Sequence, residues 1–231
     1  MARQSSAPSY GQSGHYLGDR GEAYFADLPR EIRETGARIE LRKFARFIHK
    51  DDCVLDFGCG GGFMLKYLDC RRRIGVEVNP AAARVAIQNN VECYADLGEV
   101  PDSVADVVVS NHALEHVPYP IQALREIRRT LRMKGRLVLV VPIDDWRKQT
   151  NFKSGNKDNH LYTWTPQLLG NCLSEAGFAP EELSIYVLSH AWFPGYYRAW
   201  SVIPEGLFDW ICRFFSILVK RRQLVAIARK S

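Results

Sequence analysis

Hydrophobic positions along the chain recur with two alternating periods, one suited to a helix and one to a buried strand. Residues 53–57 (CVLDF), 105–110 (ADVVVS) and 136–141 (RLVLVV) are near-continuous apolar runs, which predicts central strands covered on both faces. Between the last two, Ile121, Leu124, Ile127 and Leu131 share one stripe of a helix over 120–131, with Gly135 as the turn glycine behind it. Further strands are predicted over 73–78, 92–94, 183–188 and 223–228, and helices over 62–68, 80–89 and 207–219. Ahead of them, 21–48 reads as helix broken near Pro29. Strand and helix taking turns is the signature of a parallel sheet with crossover helices, and the count reaches seven strands.

Composition adds limits rather than detail. A chain of 231 residues that is 46% hydrophobic and 25% charged fits one α/β domain, expected over 15–231 after a disordered tail at 1–14. Within it, 15–50 is expected to form a helical cap, and 143–164 and 190–222 to be insertions on the substrate side. The six cysteines include no CxxC pair and no Cys/His ligand spacing, which fits reduced thiols in the cytoplasm and predicts no metal site. The balance of 31 basic and 26 acidic residues gives +5, too little to argue for nucleic acid. The tail holds no apolar run for a signal peptide, and 207–219, with Asp209 and Arg213 inside it, is too short and charged to span a bilayer.

The chemistry starts at residues 54–62, VLDFGCGGG, where a strand runs into a glycine-dense turn and then a helix. Such a turn lets a ligand approach the backbone and meet the positive end of the helix. Glu77 follows Gly58 by about 20 residues, where a βαβ unit puts a carboxylate on a ribose diol. Two ligands compete for this arrangement, NAD(P) and S-adenosylmethionine. Asp56 separates them: a carboxylate beside the turn repels a pyrophosphate but attracts the amino cation of S-adenosylmethionine. Phe63 standing in place of the third glycine of GxGxxG points the same way.

VLDFGCGGG, then GVEVNP at 75–80, DVVVSNHALEHVPYP at 106–120 and LRMKGRLVLVVP at 131–142 together resemble the class I S-adenosylmethionine-dependent methyltransferases. NHLYTWTPQLLGNCLSEAGF at 159–178 looks like the small-molecule branch of that family. The resemblance implies a Rossmann-like, mostly parallel sheet of order 3-2-1-4-5-7-6 with its last strand antiparallel and helices on both faces. It implies that Asp56, Gly58, Cys59 and Gly60 surround the methionine part of the cofactor, that Glu77 binds both ribose hydroxyls and that Val78 packs on the adenine. Asp96 and Leu97 match the family's adenine-contacting position, and Asn111 and His112 match residues beside the sulfonium.

His116 is the candidate general base because it lies just past a central strand, where open α/β sheets place their ligands. Ordering of its loop is the competing role. Asp144, Asp145, Trp146, His160, Tyr162 and Trp164 are expected near the acceptor, with 151–159 as a flap and Thr165 capping the helix that begins at Pro166. Tyr16 and Arg20 could close over the cofactor. The expected acceptor is a small molecule, a lipid-linked sugar among the possibilities. No nucleic acid is expected, since NHAL replaces the Asn/Asp-Pro-Pro-aromatic tetrad after the fourth strand. A catalytically silent binding protein is the rival class.

The helix over 207–219 admits two readings. Asp209, Arg213 and Ser216 form a narrow polar stripe, in which Asp209 and Arg213 can pair. That stripe favours a helix buried against the sheet or a second subunit, as in a homodimer, over peripheral membrane contact through 207–222.

Overall fold

The structure is a computed structural model and describes residues 10–27, 29–144, 150–152, 154 and 159–231. Strand β1 (Cys53–Phe57) is buried at all five positions, as its unbroken apolar run requires. It pairs in parallel with β2 (Arg72–Val76) and β4 (Ala105–Asn111), and β3 (Glu92–Tyr94) pairs in parallel with β2. Strand β5 (Leu131–Ile143) adds to β4, and β7 (Arg222–Arg229) runs antiparallel between β5 and β6 (Ser184–Leu188). The order is β3-β2-β1-β4-β5-β7-β6, the one the family resemblance implies.

Helices α3 (Phe63–Tyr67), α4 (Pro80–Gln88), α5 (Pro120–Thr130) and α6 (Pro166–Glu175) connect the strands. Proline occupies the first turn of the last three, where its missing N–H costs nothing. Thr165 caps α6 by accepting from Leu168 N at 3.1 Å, as expected. Gly135 is not a helix-ending turn glycine. Helix α5 passes directly into β5, Lys134 takes the left-handed conformation (φ 65°), and a side chain at Gly135 would lie 2.8 Å from the Arg132 carbonyl.

The break expected near Pro29 separates α1 (Gly18–Ala26) from α2 (Arg30–Leu41). The disordered tail is corrected for residues 10–14, the first nine lying outside the described residues. Tyr10 is buried, its ring packs edge-on against Phe57, and its hydroxyl accepts from Leu97 N at 3.1 Å. Burial of one large aromatic ring is enough to fix the short segment around it.

Helices α7 (Tyr196–Ala199) and α8 (Glu205–Val219) pack on α2, where Ile39, Phe208 and Cys212 form a separate small core. Asp209 pairs with Arg42 of the α2 end rather than with Arg213, and Arg42 also reaches Glu205 at 2.9 Å and covers the Trp200 ring. No helix among the described residues is long and apolar enough to cross a membrane.

Candidate active site

The order of strands reverses at β1 and β4, and the crevice at their carboxyl ends is where an open α/β sheet binds ligands. Gly58, directly after β1, has φ +80°, and a side chain there would come within 2.5 Å of Ala113 Cβ in the loop after β4. Only glycine lets the two loops approach this closely. Gly60 is also left-handed (φ +53°), but nothing lies within 4 Å of where its side chain would be.

Glu77, immediately after β2, spans the crevice. One carboxylate oxygen accepts from Gly60 N at 2.7 Å and the other from Asn79 N at 2.8 Å. Burial raises its pKa, opposed by these backbone donors. Each oxygen keeps lone-pair capacity for a ligand hydroxyl. Asp56 is 3% exposed, and burial together with the Glu77 charge pushes its carboxyl up to about 8. Asn111 has a buried side-chain oxygen with no hydrogen-bond donor. The crevice thus presents hydrogen-bond acceptors and two buried carboxyl groups.

Two adjoining cavities meet at Gly58, Gly60 and Asn111, one of about 440 Å³ and one of about 260 Å³. Glu77, Val78, His112 and His116 line the larger, and Asp56 and Cys59 the smaller. The helical cap roofs the larger one with Tyr16, Tyr24 and Phe25, Tyr10 ahead of the cap joins them, and Trp192 closes a side of both. Asn79 ties roof to sheet by donating to the Gly21 carbonyl at 2.6 Å while its own oxygen caps α4.

His116 is largely buried, which holds its pKa below the usual imidazole range against the pull of Glu115. Its Nδ1 is 3.3 Å from the Asn159 carbonyl oxygen and 2.9 Å from the Tyr16 hydroxyl. Nδ1 thus meets one group that only accepts, the carbonyl, and one that can also donate, the hydroxyl. Nε2 lies 3.9 Å from Glu115, which is fully buried with both oxygens lacking a hydrogen-bond partner. His160 stands beside this pair, its ring centroid 5.1 Å from that of His116 and its Nδ1 2.8 Å from Asp144. Glu115, His116 and His160 bring metal-ligating atoms within 4.8 Å of one another.

Residues 24–183 match the profile of the methyltransferase-domain family. The chain belongs to the class I S-adenosylmethionine-dependent methyltransferases. An uncharacterized methyltransferase of Schizosaccharomyces pombe is 30% identical over 125 residues, 48% of this chain and 45% of that protein. The chain spans about half the length of the curated relatives it matches. Two solved structures share the fold at 18% identity. One, at TM-score 0.64, is a Haloferax volcanii putative methyltransferase in complex with the Trm112 activator, covering 92% of this chain and 98% of that one. The other, at TM-score 0.56, is the [4+2]-cyclase SpnF, covering 85% and 80%.

The methyltransferase crevice gathers Asp56, Gly58, Cys59, Gly60, Glu77, Val78, Asn111, His112 and His116 on the two cavities. Asp96 and Leu97 line neither. Leu97 is core, Asp96 caps the turn after it, and Tyr10, bonded to Leu97, lines the cavity in their stead. Trp164 is corrected from substrate residue to core: it is 1% exposed and packs beside Tyr162, whose hydroxyl donates to the Pro118 carbonyl. Both are drawn inward because they seal the sheet face under α6. Tyr16 lines the cavity and Arg20 does not. Asp145, Trp146 and most of the expected flap lie outside the described residues. The sequence reading missed Tyr10, Asn79, Glu115 and Trp192. An aromatic in a Ser/Gln/Gly stretch and an Asn-Pro helix start were the signals for the first two.

Proposed function

We propose that the chain transfers a methyl group from S-adenosylmethionine to a proton-bearing nucleophilic atom of a small acceptor held under Tyr16. The observation that carries this is the polarity of two adjoining cavities, with the Asp56 carboxyl and the unpaired Asn111 oxygen at one end and the largely buried His116 imidazole at the other. The residues fit the donor. Asp56 and the Asn111 oxygen suit its ammonium, Glu77 suits a ribose diol, and Gly58 and Gly60 keep the floor free of side chains. When bound, S-adenosylmethionine supplies a methyl on a sulfonium, activated towards in-line attack.

The remaining work falls to the chain. The cap excludes water and aligns the acceptor with the crevice, which supplies much of the acceleration for a displacement. The His116 imidazole takes the acceptor's proton as the new bond to carbon forms, and Glu115 stabilises the imidazolium that results. Burial keeps His116 neutral and ready at neutral pH.

A second reading is favoured by Glu115, whose oxygens accept no hydrogen bond and lie among histidines: Glu115, His116 and His160 could hold a divalent cation that binds the acceptor. Radiolabelled methyl transfer, screened over small metabolites and lipid-linked sugars with and without chelator, tests both. Turnover that survives chelation supports the base, and turnover restored only by added cation supports the metal. S-adenosylmethionine failing to bind, or binding no better than NAD, refutes the assignment of the crevice.

A further inference from the structure

Helix α8 has two faces in different surroundings. Phe208, Cys212 and Ser216, spaced by four, are buried, the first two in the small core with Ile39. The opposite face carries Leu207 (51% exposed), Trp210 (61%), Phe214 (51%), Ile217 (64%) and Leu218 (62%), and the Trp210 and Phe214 rings stack 5.6 Å apart. The sequence pattern favours a covered helix, but the structure covers only one side. An outward helix face is ordinarily polar, and contiguous apolar side chains on a surface mark a place where something docks.

The charges identify what docks. The acids of α8, Glu205 and Asp209, are both engaged by Arg42 at the α2 side. Left beside the apolar face are Arg213 and, at the carboxyl end of the helix, Lys220, Arg221 and Arg222. All four are exposed and none has an ion pair among the described residues. A second copy joined through the same face around a twofold axis would offer basic groups and no acid to meet them. Aromatic side chains flanked by unpaired lysine and arginine are the chemistry of an anionic lipid surface.

We propose that α8 lies flat on anionic lipid, with Trp210 and Phe214 among the headgroups and Arg213 and residues 220–222 on the lipid phosphates. The claim stands on this surface and does not depend on methyl transfer. Tyr196, which packs on the same small core as Phe208 and Cys212 of α8, lines the smaller cavity, so docking also brings that cavity towards the lipid.

Co-sedimentation of the full chain tests it, using phosphatidylcholine vesicles with or without phosphatidylglycerol at low and high salt. Expected is binding to the anionic vesicles that weakens with salt and falls by roughly tenfold or more in a Trp210→Ala, Phe214→Ala variant that melts like the wild type. Arg221→Gln with Arg222→Gln should remove the preference for phosphatidylglycerol. Brominated lipid should quench the wild type more than Trp210→Phe, an exposed change that spares the fold. The proposal is overturned by absence of binding at low salt, by binding that the apolar variant retains in full, or by a dimer in solution that the same variant dissolves.

Discussion

Glu77 and Gly60 are joined by a 2.7 Å hydrogen bond that latches the loop after β2 to the loop after β1. The carboxylate therefore orders the glycine turn before any ligand arrives, and its second oxygen does the same for the start of α4 through Asn79.

Glu77→Ala removes both latches and the partner proposed for the ribose. A charged hydrogen bond of this kind is worth about 1.5–3 kcal/mol. S-adenosylmethionine affinity should fall by about one to two orders of magnitude, read by calorimetry. An unchanged Kd refutes the role.

Asp56 makes stability depend on pH. Its folded pKa, about 8, lies above the ordinary 3.8, so the folded chain holds a proton that the unfolded chain gives up. The stability this contributes is full below the ordinary value and is lost as pH rises through the folded one. Melting curves should show the wild type losing stability relative to Asp56→Asn from about pH 4 to about pH 8, with the difference level above that. A cation bound at Asp56 lowers its pKa, so S-adenosylmethionine binding at pH 7 should release protons, seen as a heat that varies with the buffer's ionisation enthalpy.

His116 carries a kinetic prediction. If the imidazole accepts the acceptor's proton, His116→Ala lowers turnover by about 10²- to 10⁴-fold and leaves cofactor affinity alone. Because burial holds its pKa down, the acid limb of the wild-type pH profile falls below pH ~6.5. A lower melting temperature with normal turnover would assign His116 to ordering its loop.

Gly58 and Gly60 should part company on substitution by alanine. Left-handed backbone costs each about 1–2 kcal/mol. At Gly58 the new methyl also meets Ala113, and the protein should melt earlier. At Gly60 the methyl points into open space lined by both cavities, so cofactor affinity should suffer more than stability. Equal melting temperatures for the two variants would contradict this.

The sheet was legible because its strands are buried on both faces, so VLDF, ADVVVS and RLVLVV cannot be read as anything amphipathic. The floor of the crevice was legible for a related reason: glycine, aspartate and glutamate at strand ends have little structural use there. The roof was not. Tyr10 and Trp192 are brought to the cavity by contacts far away in sequence, with Leu97 and with Gly36, and no local pattern encodes such a meeting. Asp96 shows why acidic turn residues and ligand carboxylates share a sequence context: one of its oxygens caps the turn at Gly98, and the other accepts no hydrogen bond. Trp164 misled in the opposite way, since an aromatic in a polar loop reads as exposed until a helix is seen to lie over it.

Strand β7 runs between β5 and β6, pairing from Arg136↔Arg229 to Ile143↔Arg222 on one side and over Ser184–Leu188 on the other. A ribosome delivers β6 well before β7, so β6 emerges with no neighbour to bond to and β5 waits with an open edge. Closure of the sheet is therefore a late, long-range event. Until it happens, β5 offers a paired-strand template to any other nascent chain, and the chain is most prone to aggregation in that interval.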